Sequence, residues 1–390
     1  MEAFTFNTTE LILLSVTGVL FIIQLVYYLG LYNRVYSRNK AARNQTTHFN
    51  YDYPPLSVII CARNEADNLR NFLPVILEQD YPKFEVIVIN DASTDETEDV
   101  LGFLENKYSN LYHSFTPESA RYISHKKLAL TLGIKASKYD WLVFTETNCK
   151  PMSDQWLKLM ARNFTPYTEV VLGYSGYDYT KGWTNRKIAF DNLFQSLRYL
   201  GLALAGKPYM GIGKNLAYRK DLFFQKKGFS TYLNLQRGED DLFVNQIANG
   251  NNTRVETDIN ATVRIQTAEQ CKFWKEEKIS YTATARYYKG AQGILFGFET
   301  FSRILLHTTC IVGMAVGILN KQWIVAGSIL FVWILRYILQ AIIINKASKE
   351  LDGDRRYYLS LPLFDLLQPL QTLRFKIDKL FMTKENFIRR

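Results

Sequence analysis

Two groups of polar residues combine types and spacing that could do chemistry. Glu239, Asp240 and Asp241 form an acidic run, and like charges on neighbouring carboxylates raise their pKa towards the value that a general base needs. Glu146 and Asn148 place a carboxylate and an amide two positions apart after a short apolar run. The acidic run could instead be the N-terminal cap of a short helix. The residue types allow proton transfer, provided that the fold brings these groups together, and any metal chemistry would have to use oxygen ligands, as Mg²⁺ or Mn²⁺ does, because the histidines and cysteines are scattered.

Short apolar runs that alternate with helical patterns indicate the elements that would position these groups. The runs are Leu56–Cys61, Phe84–Asn90, Leu111–Phe115 and Trp141–Phe144, and the helical patterns between them are Ala66–Leu77, Thr94–Glu105 and Lys126–Ala136. Strand–helix–strand units of this kind predict an α/β domain with a mostly parallel sheet and helices on both faces. Ligands bind such sheets beyond the carboxyl ends of the strands.

Three of the four predicted strands end in polar residues. These ends are 62–65, 90–93 and 145–148. Taken alone, Asp91 and Ser93 could cap the helix that is predicted to start near Thr94. Three polar ends in one sheet favour a ligand site instead.

The sequence resembles membrane-bound family 2 glycosyltransferases, which are inverting enzymes with the GT-A fold. The resemblance begins in SVIICARNEADNLRNFLPVILEQDYPKFEVIVINDASTDET (57–97) and continues in KKLALTLGIKAS (126–137), GIGKNLAYRKDLFF (211–224) and RGEDDLFVNQIA (237–248). It covers most of the chain from Leu56 to Lys289. It implies the GT-A nucleotide-diphospho-sugar transferase fold and transfer of a hexosyl group from a nucleotide sugar.

The resemblance assigns donor-binding residues. Asp91 would bond the nucleobase, and Ala62, Asn64 and Glu65 would line the nucleoside. Lys126 would lie near the donor phosphates or sugar, although it could also be a solvated lysine in the first turn of its helix. A UDP-sugar is the favoured donor.

The resemblance also assigns catalytic groups, with two departures. Asp240 matches the family's base, with Glu239 and Asp241 beside it. The family's DxD metal motif is replaced by Glu146, Thr147 and Asn148, so a divalent cation on Glu146 and Asn148 and a cation-independent reaction both stay open.

The second departure lies in the family's QxxRW strip. Neither Gln270–Trp274 nor Glu277–Tyr281 fits it fully, but Trp274 stays a candidate platform for the acceptor sugar, with a membrane-interface anchor as the alternative.

Composition and hydropathy indicate a membrane protein. The chain has 390 residues, a net charge of +10 and 47% hydrophobic residues, and its four cysteines form no CxxC pair. The segment 11–31 holds no charge and is long enough, at ~1.5 Å per residue, to cross a core of roughly 30 Å. A hairpin of 304–319 and 323–345 follows near the other end. His307 and Arg336 fall inside it, and Arg336 would either snorkel or line a polar passage.

These patterns divide the chain into four parts. The parts are an N-terminal transmembrane helix with a basic linker (1–50), a cytoplasmic GT-A domain (51–290), a transmembrane hairpin (291–350) and an interfacial, basic tail (351–390). Basic residues after the first span place the domain in the cytoplasm, and the resemblance suggests a bacterial inner (plasma) membrane. Much of the positive charge would meet anionic lipid, and no motif favours nucleic acid.

The predicted function is inverting transfer of a sugar to a membrane-associated acceptor, either a lipid-linked sugar or a growing glycan of the cell envelope. A processive polysaccharide synthase is the first alternative. A non-catalytic relative that organises an assembly complex is the second, because both motif departures weaken the case for catalysis. The segment 185–204 has helical spacing that favours core packing or a position on the membrane surface.

Overall fold

The chain forms an α/β domain with a mixed sheet, and this domain is attached to a bundle of long apolar helices. The computed structural model describes residues 7–117, 124–353 and 355–381. The strands are β1 (Leu56–Ala62), β2 (Phe84–Asn90), β3 (Leu111–Phe115), β4 (Trp141–Phe144), β5 (Cys149–Pro151), β6 (Val170–Leu172), β7 (Ser175–Tyr177), β8 (Leu216–Arg219), β9 (Thr253–Val255) and β10 (Val263–Ile265). The helices are α1 (Thr8–Tyr27), α2 (Arg34–Arg43), α3 (Ala66–Leu77), α4 (Thr97–Lys107), α5 (His125–Ala136), α6 (Trp156–Ala161), α7 (Trp183–Leu204), α8 (Lys220–Gln225), α9 (Asp241–Ile247), α10 (Gln270–Thr284), α11 (Gln292–Leu319), α12 (Trp323–Leu351) and α13 (Leu361–Phe381).

Seven strands form the main sheet in the order β3-β2-β1-β4-β8-β6-β9. The first four are parallel to one another, whereas β8 runs antiparallel to both β4 and β6. A second sheet has the order β5-β10-β7. The carboxyl ends of β1, β2 and β4 therefore meet at one edge, as the sequence predicts.

Alternate residues of the central strands pack on opposite faces of the sheet. Ile59 and Ile87 are buried with residues of α5, whereas Val58 and Val86 are buried with residues of α3 and α4. Burying each of these side chains contributes roughly 1.5–3 kcal/mol, which holds the helices on both faces. The predicted α/β class and the helices on both faces are confirmed.

The predicted strand bounds agree with the structure to within one residue, but α4 begins later than predicted. Its first residue is Thr97 rather than Thr94, because the Asp95 carboxylate accepts a hydrogen bond from the Thr97 amide at 3.1 Å and so starts the helix there. Asp95 also accepts from the amide of Ala66 at 3.2 Å, so one side chain serves the first turns of both α3 and α4.

In the part of the chain that the structure describes, three helices are long and apolar enough to cross a membrane. They are Thr8–Arg43, which combines α1 and α2 through a π-helical turn at Tyr28–Tyr32, and α11 and α12. The three pack against one another. The hairpin helices extend beyond the predicted 304–319 and 323–345, because α11 begins at Gln292 and α12 ends at Leu351.

One expectation about the hairpin needs correction. Arg336 neither snorkels nor lines a passage, because it is 3% exposed and its guanidinium donates to the carboxylate of Asp365 in α13. The tail helix α13 therefore contacts the hairpin through a buried charge pair. Helix α7 is a core helix, as one of its two predicted placements requires, and most of its residues are buried.

Candidate active site

The loops after β1 and β2 hold each other in place. The backbone amide of Asn64 donates to Ser93 Oγ at 2.9 Å, and the amide of Thr94 donates to Asn64 Oδ1 at 2.8 Å. Asn64 (φ 54°) and Ala92 (φ 50°) both adopt the left-handed conformation, which is uncommon for residues other than glycine. The two loops therefore form one rigid rim in which strained backbone is fixed by cross-loop hydrogen bonds.

Asp91 faces a cavity rather than a helix end. Its carboxylate accepts a hydrogen bond from Thr116 Oγ1 at 2.9 Å, and its Oδ1 lies 3.3 Å from His125 Nδ1. The side chain is almost fully buried. The carboxylate that accepts from the first amide of α4 belongs to Asp95, and the contacts of Asp91 are to Thr116 and His125, so the alternative that Asp91 is only a helix cap is not supported.

The polar strand ends surround a cavity of about 610 Å³. Its lining includes Asp91, Lys126, Glu146, Asn148, Arg237 and Phe273. A second cavity shares Lys126 and Glu146 with the first and adds Glu239 and Asp240. Residues from four separate stretches of the sequence are thus brought together around one cleft.

Lys126 bridges two carboxylates inside this cleft. Its Nζ lies 2.7 Å from Glu146 Oε1 and 3.1 Å from Glu239 Oε1. Burial alone would lower the pKa of Lys126, but the two carboxylates outweigh burial and raise it. The second oxygen of Glu239 is buried and has no hydrogen-bond partner among the residues that the structure describes. This oxygen is an acceptor that a ligand hydroxyl could satisfy.

Lys214 neutralises Glu146 from the other side. Its Nζ lies 3.5 Å from Glu146 Oε2 and pairs with Glu277 of α10. Burial would raise the pKa of Glu146, but Lys126 and Lys214 together hold it well below its usual value. Glu146 is therefore an ionised carboxylate held between two ammonium groups.

Lys127 has a different task from its neighbour Lys126. It is 2% exposed, and its Nζ donates to the carbonyls of Tyr232, Leu235 and Arg237 at 2.7 to 3.0 Å. It fixes the loop that precedes the acidic run, so it cannot substitute for Lys126 in the cleft.

The carboxylate of Asp240 combines two roles. Its Oδ1 accepts from the Asp241 amide at 2.7 Å and so caps α9, as the helix-cap alternative predicts. Its Oδ2 accepts from the Gly213 amide and from Tyr281 Oη, both at 2.9 Å. Burial, and then the nearby charge of Glu239, raises the pKa of Asp240. A carboxylate offers about four lone-pair positions, so one stays free for a proton from a ligand.

Asp241 points away from the cleft. Its carboxylate accepts hydrogen bonds from Thr284 Oγ1 and, at 2.6 Å, from Tyr288 Oη, and burial raises its pKa to about 7. Its contacts are structural, so the expectation that it shares the catalytic site is not supported by its position. Glu239, in contrast, faces the cleft through Lys126.

The predicted cation ligands do not fit a divalent cation as they are arranged. Of Glu146 and Asn148, only Glu146 carries a charge, and an ammonium group lies near each of its oxygens. At an effective dielectric constant of about 20, two unit charges 4 Å apart repel by about 4 kcal/mol, and a divalent ion beside one ammonium by about twice that. Among the described residues, no three Asp, Glu, His or Cys side chains lie close enough together to hold a metal ion.

Trp274, the predicted sugar platform, is placed elsewhere. Its indole is 5% exposed, its Nε1 donates to Asp191 Oδ2 at 2.8 Å, and its ring meets the edge of Phe375 from α13. Little ring surface is left for a sugar, because α13 covers it. The neighbouring Phe273 lines the main cavity instead.

The remaining predicted nucleoside-lining residues lie along the same rim. Ala62 is fully buried and its carbonyl accepts from the amide of Asp91 at 2.7 Å, so it contributes backbone only. Asn64 is exposed in the interlocked loop, and Glu65 lines the main cavity.

Sequence reasoning missed several residues of the site. Lys214 lies within the quoted segment 211–224, and Glu277 and Tyr281 are the ends of the second QxxRW placement. Glu277 pairs with Lys214, and Tyr281 donates to Asp240, so the segment that departs from the QxxRW pattern still contributes side chains to the cleft. The sequence signal that could have identified Lys214 is a charged residue between Gly213 and Asn215, within a segment that resembles the family.

The sheet order and the polar strand ends define this region as an α/β domain with a cleft at the carboxyl ends of its parallel strands. Residues 57–224 match the family description "Glycosyl transferase family 2". This segment of the chain is therefore similar to a family 2 glycosyltransferase domain, in agreement with the resemblance seen in the sequence.

Known proteins match parts of the chain. It is 33% identical over 107 residues to glycosyltransferase AglE of Haloferax volcanii, which covers 27% of this chain and 34% of that protein. It is 24% identical over 127 residues to the poly-beta-1,6-N-acetyl-D-glucosamine synthase of Staphylococcus epidermidis, covering 32% and 28%. The chain thus spans about a third or less of the length of these curated relatives.

A solved structure supports the GT-A fold over a longer stretch. The mannosyltransferase PcManGT from Pyrobaculum calidifontis, in complex with GDP-Man and Mn²⁺, superposes with a TM-score of 0.53 at 18% identity. The match covers 89% of this chain and 99% of that one. At this identity the similarity establishes the fold alone.

Proposed function

We propose that the chain is an inverting glycosyltransferase that moves a sugar from a nucleotide sugar to a membrane-associated acceptor. The observation that carries the proposal is the convergence of Asp91, Lys126, Glu146 and Asp240 on one cleft in a family 2 domain. The cleft is acidic at Asp91 and basic at Lys126 and Arg237, and these two regions suit the nucleobase and the diphosphate of the donor.

The nucleoside would bind between the interlocked loops. The Asp91 carboxylate is placed by the hydrogen bond from Thr116, and it would accept a hydrogen bond from an N–H of the base. The diphosphate would lie towards Lys126 and Arg237, which are two of the basic residues that line the same cavity. The unpartnered Glu239 oxygen would accept a hydroxyl of the donor sugar.

Asp240 would act as the base. An acceptor hydroxyl loses its proton to the free lone pair of Asp240 while its oxygen attacks the anomeric carbon. The bond from that carbon to the diphosphate breaks on the opposite face, so the nucleoside diphosphate leaves and the configuration inverts. The raised pKa of Asp240 strengthens it as a base, since a more basic carboxylate takes the proton more readily.

The acceptor would come from the membrane side. Three candidate spans pack beneath the domain, and α10, which supplies Tyr281 to the cleft, contacts the tail helix α13. Basic residues after the first span favour a cytoplasmic position of the domain in a bacterial plasma membrane. A UDP-sugar is the favoured donor, and a lipid-linked sugar or glycan is the favoured acceptor.

A donor panel tests the proposal. Purified full-length protein in detergent is given UDP-, GDP- and dTDP-sugars with a membrane lipid extract, and release of nucleoside diphosphate is measured. We expect release with at least one donor, dependence on the extract, and loss of release in Asp240→Asn. Inversion is checked from the anomeric configuration of the product by NMR.

The same experiment separates the alternatives. Products that lengthen with time would favour the processive synthase, for which the relative from Staphylococcus epidermidis is a precedent by name. Nucleotide binding without any turnover across the panel would favour the non-catalytic relative. Undiminished release by Asp240→Asn would reject Asp240 as the base.

A further inference from the structure

The cleft contains an internal arrangement of charge where the family's metal motif is replaced. Lys126 lies between Glu146 and Glu239, at 2.7 and 3.1 Å, which is the bridging position that a divalent cation takes between two carboxylates. Lys214 holds the other oxygen of Glu146 and is itself anchored by Glu277. The Lys214 ammonium is part of the fold, because Lys214 is 3% exposed, whereas the Lys126 side chain is 32% exposed and can reach a ligand in the cavity.

We propose that Lys126 and Lys214 replace the divalent cation, so that the diphosphate leaving group is stabilised without a metal. This inference rests on the proposed function. Lys126 is the phosphate-binding group, and Lys214 is a positioning residue that keeps Glu146 neutralised. When the donor binds, diphosphate oxygens take over the Lys126 ammonium from Glu146, while Lys214 retains Glu146.

The carboxylates nearest the two lysines are already paired before the donor arrives. Lys126 pairs with Glu146 and Glu239, and Lys214 pairs with Glu146 and Glu277. A free divalent cation would therefore have to displace an ammonium group in order to reach Glu146. A diphosphate, in contrast, meets Lys126 in the cavity lining, and Lys126 need only exchange one anionic partner for another.

The buried position of Lys214 explains why it is needed. Without it, Glu146 would be an uncompensated carboxylate beside the incoming phosphates and would repel them. The same loss would give Glu146 a free oxygen, which is a ligand that a divalent cation could use. Removing Lys214 should therefore create a dependence on added cation that the native protein lacks.

The test compares two lysine variants with and without chelator. Full-length wild type, Lys214→Met and Lys278→Met are treated with EDTA, and nucleoside diphosphate binding is measured by titration calorimetry beside turnover of the best donor. Lys278 is the matched control, because it is a largely buried lysine of α10 that is ion-paired to Asp191 at 2.6 Å. Thermal unfolding of each variant checks that it is folded.

We expect wild type and Lys278→Met to bind and turn over equally well with and without EDTA. For Lys214→Met we expect affinity and turnover in EDTA to fall about 10- to 100-fold, with partial recovery in Mn²⁺. A purely structural role for Lys214 would not produce recovery by a cation.

Two results would overturn the inference. One is loss of diphosphate binding by wild type in EDTA with recovery in Mg²⁺ or Mn²⁺, and the other is identical behaviour of the two lysine variants. A protein that binds diphosphate in EDTA but uses no donor in the panel would instead count against the proposed transferase function and leave the cation-free site supported.

Discussion

Two ionic networks with buried carboxylates in this protein have different surroundings. One is the cleft network of Lys126, Glu146, Lys214, Glu239 and Glu277. The other joins the tail helix to the hairpin, where Asp365 is contacted by Arg303 at 3.1 Å, His307 at 2.9 Å and Gln340 at 2.8 Å, and also by Arg336.

The two networks differ in whether a carboxylate oxygen is left available for a ligand. The cleft network borders two cavities and leaves a buried Glu239 oxygen without a hydrogen-bond partner among the described residues, whereas each Asp365 oxygen has two partners. A carboxylate with a free acceptor position beside a cavity can bind a ligand there. A carboxylate whose two oxygens are both occupied instead holds the helices together. Buried charge alone therefore does not identify a functional site in this fold.

Asp240→Asn and Asp365→Asn should separate the two networks most clearly. We expect Asp240→Asn to lower turnover by roughly 10²- to 10⁴-fold, because it removes the base, with thermal unfolding little changed. Rates of nucleoside diphosphate release and a melting curve in the same detergent measure both effects.

Asp365→Asn should act on stability instead. Leaving Arg303 and Arg336 without their shared carboxylate should cost roughly 3–5 kcal/mol of folding free energy, while turnover per folded molecule stays near wild type. Unfolding in detergent and active-fraction titration distinguish the two quantities. A catalytic loss as large as that of Asp240→Asn would break the distinction between open and closed networks.

Trp274→Phe tests the buried indole between the two networks. Losing the hydrogen bond to the carboxylate of Asp191 should lower stability by roughly 1.5–3 kcal/mol and leave the KM for acceptor unchanged. The measurement is a melting curve beside an acceptor titration. A raised acceptor KM with normal stability would restore the sugar-platform role that the sequence suggests.

Glu239→Gln should give the smallest effect, a shift of the pH profile. The pKa of Asp240 is raised by burial and then by Glu239, so the base is protonated and turnover is lost as the pH falls through this raised pKa. Removing the Glu239 charge lowers the pKa and moves the acid limb of kcat/KM to lower pH. An unmoved or upward-shifted limb would mean that Glu239 does not face Asp240 electrostatically.

Local patterns predicted the elements well because strands and helices of α/β domains are encoded by short-range periodicity. The positions of Asp91 and Glu146 directly after predicted parallel strands predict that both lie at one edge of the sheet. The motif resemblance added Lys126 and Asp240. These patterns therefore predict which side chains form the site and at which edge of the sheet they lie.

The contacts between distant segments could not be predicted in the same way. The pairing of Lys214 with Glu277 joins the loop before β8 to α10. The pairing of Arg336 with Asp365 joins α12 to α13. The burial of Trp274 depends on α13 as well. Side-chain partners set by tertiary packing have no periodic signature, so a tryptophan or an intramembrane arginine has several equally reasonable interpretations from sequence.

The central claim is that Asp91, Glu146 and Asp240 serve one donor cleft, and donor binding tests it most directly. Titration calorimetry with the active nucleotide sugar is carried out on wild type, Asp91→Asn and Asp240→Asn. The account predicts about 10-fold or greater loss of affinity in Asp91→Asn, which loses a charge-assisted hydrogen bond, and near-normal binding without turnover in Asp240→Asn. Normal affinity in Asp91→Asn together with normal turnover in Asp240→Asn would contradict it.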